Sequence, residues 1–320
     1  MGRSGHPHYM KQTAALAHPA SGRQLHLAAG DMTATVVQVG AGLRELATAG
    51  RPVLDGYAQD EIAAYAQGQA LVPWPNRLAD GRYTFAGDEF QLALTEPENH
   101  CAIHGLARWL AWDVVAAEED RVALAVTVAA QAGYPFTLRA EVEYTLTSDG
   151  ISVQTTLTNS GETALPAGHG FHPYVTVGTD RIDDTQLRLP VASRLEADDR
   201  GIPTGRRIPV DGTEYDFREP RTIGELQLDT AFTDLLRDAD GCARIQLAAP
   251  GGGRAELWLD TTYGYVMAFT GDSLPDPARR RRALGLEPMT CAPNAFRSGD
   301  GLQTLQPGEA TTSRWGLKPT

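Results

Sequence analysis

Apolar and polar positions alternate with a period of two along much of this chain. Between Thr137 and Thr147, Leu138, Ala140, Val142, Tyr144 and Leu146 alternate with mostly polar neighbours, the pattern of a strand with one buried and one wet face. Ser148-Asp149-Gly150 reads as a turn. Ile151, Val153, Thr155 and Leu157 then predict a second strand, stopped by Asn159-Ser160-Gly161. Arg82-Tyr83-Thr84-Phe85 follows the same grammar, turning through Ala86-Gly87-Asp88 into Phe90-Gln91-Leu92. Val122–Val128, Arg244–Leu247 and Glu256–Leu259 predict further short strands. Helical periodicity is scarce, and its best stretch, Glu61–Gln69, is broken by Gly68. The 33 glycines and 20 prolines punctuate the strands and do not gather in one linker. The pattern predicts an all-β fold, a large antiparallel β-sandwich. We expect one domain over residues 23–320, preceded by a loose arm over residues 1–22.

Composition narrows the class. With 320 residues, 42% of them hydrophobic, the chain can bury a substantial core. Lys and Arg total 28 against 40 Asp and Glu, a formal net charge of -12. A field of that sign disfavours nucleic acid and anionic membranes, and makes a small neutral or weakly charged molecule the easier partner. It excludes neither a local basic pocket nor a protein partner. No apolar run approaches the roughly 20 residues that span a bilayer. The first residues lack the continuous apolar core of a secretory signal, so a cytoplasmic protein is expected. Cys101, Cys242 and Cys291 lie far apart without CxxC spacing, which argues against both a disulfide framework and a structural zinc site.

Five segments combine turn residues with reactive side chains: Val72-Pro73-Trp74-Pro75-Asn76-Arg77, Ala102-Ile103-His104-Gly105, Gly168-His169-Gly170-Phe171-His172-Pro173-Tyr174, Gln227-Leu228-Asp229-Thr230-Ala231-Phe232 and Gly285-Leu286-Glu287-Pro288-Met289-Thr290. Taken singly, Arg77 reads equally well as a surface residue at the start of a strand, and His104 as a structural histidine. The pairs His100/His104 and His169/His172 lack a glutamate or cysteine at a recognised ligand spacing, so no metal is expected. His172 is more telling. Pro173 biases it toward an extended conformation, and Gly168 and Gly170 permit close approach of backbone or ligand. An imidazole with an ordinary pKa near 6.5 can give or take a proton there. Glu287, between Leu286 and Pro288, either points to solvent or lines a pocket with partners; burial would strengthen it as a base.

In this order the segments resemble the aldose 1-epimerase (galactose mutarotase) family from about Thr33 to Leu317. The likeness is carried by PWPNRLADGRYTFAGDEFQL, a following IHG, then GHGFHPYV, LDTAF and LGLEPMTCAPNAF leading to LQPGE. It implies a β-sandwich with a sugar site in an open cleft, and an activity that interconverts the α and β anomers of a free aldose. By the same resemblance Glu287 is the general base at the anomeric hydroxyl and His172 the general acid at the ring oxygen. His104, Asn76, Arg77 and Asp229 hold the sugar, with Asp234 the competitor for the last position. No electrons or phosphoryl groups move in such a reaction, so no cofactor is demanded. Pro288-Met289-Thr290 after the glutamate and Pro173-Tyr174 after the histidine depart from the galactose enzymes, which leaves the sugar open. A hexose 6-phosphate is one alternative substrate, because Arg279-Arg280-Arg281-Arg282 shortly precedes Glu287. A sugar-binding or regulatory protein on the same scaffold is another; glycoside hydrolysis or lyase chemistry lacks a second carboxylate clearly paired with Glu287.

Overall fold

A computed structural model describes residues 19–320. The arm expected over residues 1–22 therefore falls largely outside the described residues. Its last four, Pro19 to Gly22, form a turn in which Ser21 is buried.

Two large antiparallel sheets face each other. The first has nine strands in the order Asp113–Ala117, Arg121–Val128, Leu138–Thr147, Gly150–Asn159, Ala310–Pro319, Arg254–Leu259, Ala243–Ala248, Gln186–Arg188 and Arg221–Thr222. The second runs Pro203–Pro209, Val191–Ala197, Asp229–Leu235, Tyr265–Phe269, Leu284–Met289, Gly170–Phe171 and Ala70–Leu71, and Tyr174–Val175 also pairs with Leu284–Met289. A four-stranded sheet of Gln24–Ala29, Met32–Val37, Gly42–Thr48 and Arg51–Pro52 adds to the same core. Among the described residues, the only α-helix is Ala295–Ser298, and Glu61–Gln69 forms turns. Among the described residues no helix is long and apolar enough to cross a membrane.

The period-two reading explains the first sheet. Leu138, Ala140, Val142, Tyr144 and Leu146 are all buried. The hairpin they share with the next strand is paired from Leu138↔Asn159 to Thr147↔Gly150, which leaves Ser148 and Asp149 as a two-residue turn. Tyr144 satisfies its hydroxyl in the interior by donating to the Ala41 carbonyl at 2.6 Å.

The second sheet behaves differently, because both of its faces are covered around Leu284–Met289. All six residues of that strand are buried. Leu284 and Leu286 join the main core with Val266 and Ala268 of the neighbouring strand. By alternation Gly285, Glu287 and Met289 point to the opposite face, as do Met267 and Phe269. Glu287 therefore turns away from the oily centre of the sandwich, toward a cleft walled by loops.

Candidate active site

Strand register brings the two most reactive side chains together. Gly170 pairs with Met289, and Tyr174 pairs with Gly285. Continuing the antiparallel count between those pairs places His172 opposite Glu287 on the same face. Pro173 cannot donate a ladder bond there, and the chain leaves regular pairing: the His172 carbonyl accepts from Gly68 N–H at 2.9 Å. Gly168 and Gly170 lie close to the last part of the Glu287 segment. A Cβ on Gly168 would come 2.4 Å from Cys291 Sγ, and one on Gly170 would come 2.7 Å from the Pro288 carbonyl oxygen.

His172 Nε2 lies 3.3 Å from Glu287 Oε1. Both residues are buried, Glu287 at 2% exposure and His172 at 5%. The His172 ring stacks on Tyr174 at 4.8 Å and meets His104 edge-on at 5.3 Å. Among the described residues, Glu287 Oε2 and His172 Nδ1 have no protein hydrogen-bond partner. His104, His172 and Glu287 each offer one donor atom within 4.8 Å of the others. Two imidazoles and one carboxylate could in principle ligate a metal, but the same three groups are an acid–base set.

His104 is aimed by its own backbone. Strands Arg77–Ala79 and Cys101–Ile103 pair with Arg77 opposite Ile103, and the chain then turns sharply at both ends. Asn76 and His104 both adopt positive φ, 57° and 61°. His104 N–H donates to the Asn76 carbonyl at 3.0 Å, and Asn76 N–H donates to His104 Nδ1 at 3.1 Å. With Nδ1 accepting, a neutral His104 carries its proton on Nε2. Gly105 holds this corner at φ 71°, where a Cβ would sit 2.1 Å from the Val72 carbonyl oxygen. Gly105→Ala is expected to destabilise the fold by about 2–4 kcal/mol, because strain and clash add. A melting temperature equal to wild type would show that this corner yields freely.

Arg77 is held as tightly. Its Nε and one terminal nitrogen donate to the two oxygens of Glu96 at 2.7 and 2.8 Å, a bidentate fork. Its other terminal nitrogen is 3.9 Å from Asp229 Oδ2. Asp229 opens the strand Asp229–Leu235, pairs with Phe269 and exposes about half its side chain (49%) to the cleft. Asp234 is elsewhere, at 3.0 Å from Arg207, so Asp229 is the aspartate of the cleft.

The cleft encloses about 480 Å³ and is lined by Asn76, Arg77, His104, His172, Asp229 and Glu287 together with residues no motif announced: Thr95, Glu96, Glu98, Arg108, Phe269 and the loop Ser273-Leu274-Pro275. All six residues singled out in the sequence thus share one cavity. The arginine run does not. Arg279 contacts Asp55 and Glu61 at 3.5 and 3.6 Å, and Arg282 contacts Asp55 at 2.9 Å. Arg280 donates to the Leu274 carbonyl at 2.7 Å, and Arg281 pairs with Asp183 and Asp272. These four side chains fasten loops together and line no part of the cleft.

Electrostatics follow from burial. Desolvation pushes Glu287 up to about 8, with the Asp229 charge adding and Arg77 opposing. Desolvation pulls His172 down to about 3, and Arg108 adds to the effect. His104 is also lowered, first by burial and then by His172, Arg108 and Arg77. The pair Glu287–His172 thus favours a single proton, resting on the carboxyl. A raised carboxyl pKa has a definite stability sign. Between its ordinary 4.5 and about 8, a folded Glu287 keeps a proton that the unfolded chain has released, so its own contribution to stability falls as pH rises through that window. Glu287→Gln removes this dependence. Its unfolding free energy is expected to gain on wild type by on the order of 2–4 kcal/mol between pH 5 and pH 8. A difference constant across that range would contradict the assignment.

Known proteins share the sequence pattern and the fold of this chain. The sequence pattern of the family described as Aldose 1-epimerase matches residues 23–318. The uncharacterized protein YihR of Escherichia coli is 33% identical, over 90% of this chain and 91% of its own. The maltose epimerase of Levilactobacillus brevis is 27% identical, over 85% of each chain. In fold, the crystal structure of a GalM/aldose epimerase homologue from C. elegans superposes with a TM-score of 0.84 at 20% identity, covering 93% of this chain and 98% of that one.

Proposed function

The chain belongs to the aldose 1-epimerase family, and from that premise we propose that it interconverts the α and β anomers of an aldose by acid–base ring opening. The observation that carries this reading is the 3.3 Å contact between His172 Nε2 and Glu287 Oε1 in a cleft of sugar size.

Opening a hemiacetal requires three events. A proton leaves the anomeric hydroxyl, the C1–O5 bond breaks, and O5 gains a proton. The Glu287 carboxylate takes the first proton and the His172 imidazolium supplies the second. The pair's own proton has then moved in effect from His172 to Glu287. Rotation about C1–C2 presents the other face of the aldehyde, and reclosure reverses both transfers. The pair exchanges no proton with solvent over a full cycle.

Burial sets the resting form of the pair. It favours the protonated carboxyl and neutral imidazole, which is the form the pair holds while the open-chain aldehyde is bound. The form needed for ring opening differs by one proton crossing the short contact, and both forms have the same net charge. Ring opening therefore draws on the less favoured form, in which the proton has crossed from Glu287 to His172.

The remaining groups orient the sugar. His104 offers an Nε2–H to a sugar oxygen. Asn76 braces both His104 and the Arg77 N–H, the latter through its Oδ1 at 2.8 Å. Arg77 and Asp229 bind hydroxyls from the adjoining wall. A protein that only bound sugar would need no matched acid and base.

Polarimetry of freshly dissolved α-D-glucose and α-D-galactose tests the reading. A rate that rises above the spontaneous one in proportion to protein concentration is the expected result. Spontaneous rates with these sugars and with their charged analogues would remove the catalytic assignment.

A further inference from the structure

Two guanidinium groups line the cleft, and they are not equivalent. Arg77 is neutralised by the bidentate bond to Glu96. Arg108, four residues beyond His104 in sequence, has no such partner. Among the described residues no carboxylate lies within 4.0 Å of its nitrogens, and no protein acceptor receives one of its N–H groups. Its position is nonetheless fixed. The N–H groups of Leu106 and Ala107 both donate to the Val72 carbonyl, at 2.7 and 3.1 Å. The Arg108 carbonyl accepts from Gln69 at 2.7 Å, and Trp112 Nε1 donates to the Ala107 carbonyl at 3.1 Å. The Arg108 guanidinium carbon lies 4.6 Å from the centre of the Trp109 ring. A guanidinium stacked on an aromatic face keeps its N–H edge available for a planar fork of two hydrogen bonds.

Holding a cation partly buried and unpaired is unfavourable unless something completes it. Desolvation lowers the Arg108 pKa, and the nearby Glu96 charge opposes that only in part. A ligand that displaces water from this guanidinium should bring acceptors in return. Sugar hydroxyls are neutral acceptors, whereas an oxyanion offers two oxygens to the fork and a compensating charge. The number of charges is also constrained. Glu96, Glu98 and Asp229 line the same cleft, with Glu96 occupied by Arg77. A doubly charged group would meet two further carboxylates with one free cation to offset it. A singly charged group is the better match.

We propose that Arg108 selects an aldose carrying a single negative charge on a substituent away from its anomeric carbon. The inference rests on the anomer-exchange reading, in which O1 and O5 are taken by Glu287 and His172 and the substituent is left to Arg108. It turns from the arginine run Arg279–Arg282, whose contacts are with loop carboxylates and the Leu274 carbonyl, to a residue that lines the cleft. A net charge of -12 does not oppose it, because the recognition is local.

The test compares D-glucose with D-glucuronic acid, D-glucose 6-sulfate and the dianionic D-glucose 6-phosphate. Anomer exchange is measured for wild type, Arg108→Gln and Arg108→Lys. Wild type is expected to show a kcat/KM for a monoanionic sugar at least about tenfold above that for glucose, expressed in KM, since hydrogen bonds to charged groups are worth that much or more. Arg108→Gln should collapse this ratio toward one, and Arg108→Lys should restore part of it. Raising salt from about 50 to about 500 mM should shrink the wild-type preference. Glucose preferred over every monoanion, or Arg108→Gln weakening neutral and charged sugars alike, would overturn the proposal. A best substrate among dianions would overturn the single-charge part.

If no sugar is turned over, the catalytic reading fails separately. Equilibrium titration with D-glucuronic acid then decides the Arg108 proposal, which stands if binding is weakened by Arg108→Gln and falls if it is not.

Discussion

Glu287→Gln is expected to lower kcat for anomer exchange by about 10²–10⁴-fold, the range contributed by a positioned general base. Glutamine keeps the size and shape of the side chain but cannot accept the anomeric proton. The loss should fall on kcat, because Glu287 is buried at the cleft floor and reads the reacting hydroxyl, leaving most hydroxyl contacts in place. The variant is expected to remain folded and to gain stability at pH 8. Activity lost and stability gained at one atom pair is what a functional carboxylate in a desolvated site predicts. A variant with full activity would remove Glu287 from the chemistry, whatever its effect on stability.

Arg77→Ala should be costly in two ways. It deletes a cleft cation and orphans Glu96, whose side chain is only 13% exposed. Breaking a buried pair by removing one member typically costs about 3–5 kcal/mol. KM should rise as well, since Arg77 holds the wall against Asp229. The two effects can be separated. Adding Glu96→Gln to Arg77→Ala removes the stranded charge and should recover part of the stability without recovering KM. Chemical denaturation and steady-state kinetics on the two variants check this. If KM stays at the wild-type value in both, Arg77 serves only to tie Glu96 to the scaffold.

The sandwich was readable in the sequence because its strands obey period two. The hairpin of Leu138–Thr147 and Gly150–Asn159 is an example, with its apolar positions buried and its turn at Ser148 and Asp149. The strand carrying Glu287 was harder to place. Both faces of Leu284–Met289 are covered, so alternation carries no contrast there, and the residue types alone left Glu287 free to face water.

The site divides in the same way. His172, Glu287, His104, Asn76, Arg77 and Asp229 came from the segments that carry the family resemblance, and one cavity holds them all. Glu96 and Arg108 were missed for different reasons. Glu96 matters only through Arg77, nineteen residues earlier, and a carboxylate in a loop looks like any solvated charge. Arg108 had a usable signal, its place four residues after His104 on a segment pinned to Val72. Arg279, Arg280, Arg281 and Arg282 are absorbed by Asp55, Glu61, Asp183, Asp272 and a backbone carbonyl. Charge density along a chain says little about charge left unpaired in the fold.

The most direct test of the central claim is magnetisation exchange by NMR between the α and β anomeric protons at equilibrium, run on glucose, galactose and glucuronic acid with wild type and Glu287→Gln. The account predicts exchange faster than in buffer for at least one sugar, linear in wild-type concentration and lost in the variant. Buffer-level exchange for all three, or equal acceleration by wild type and Glu287→Gln, would contradict it.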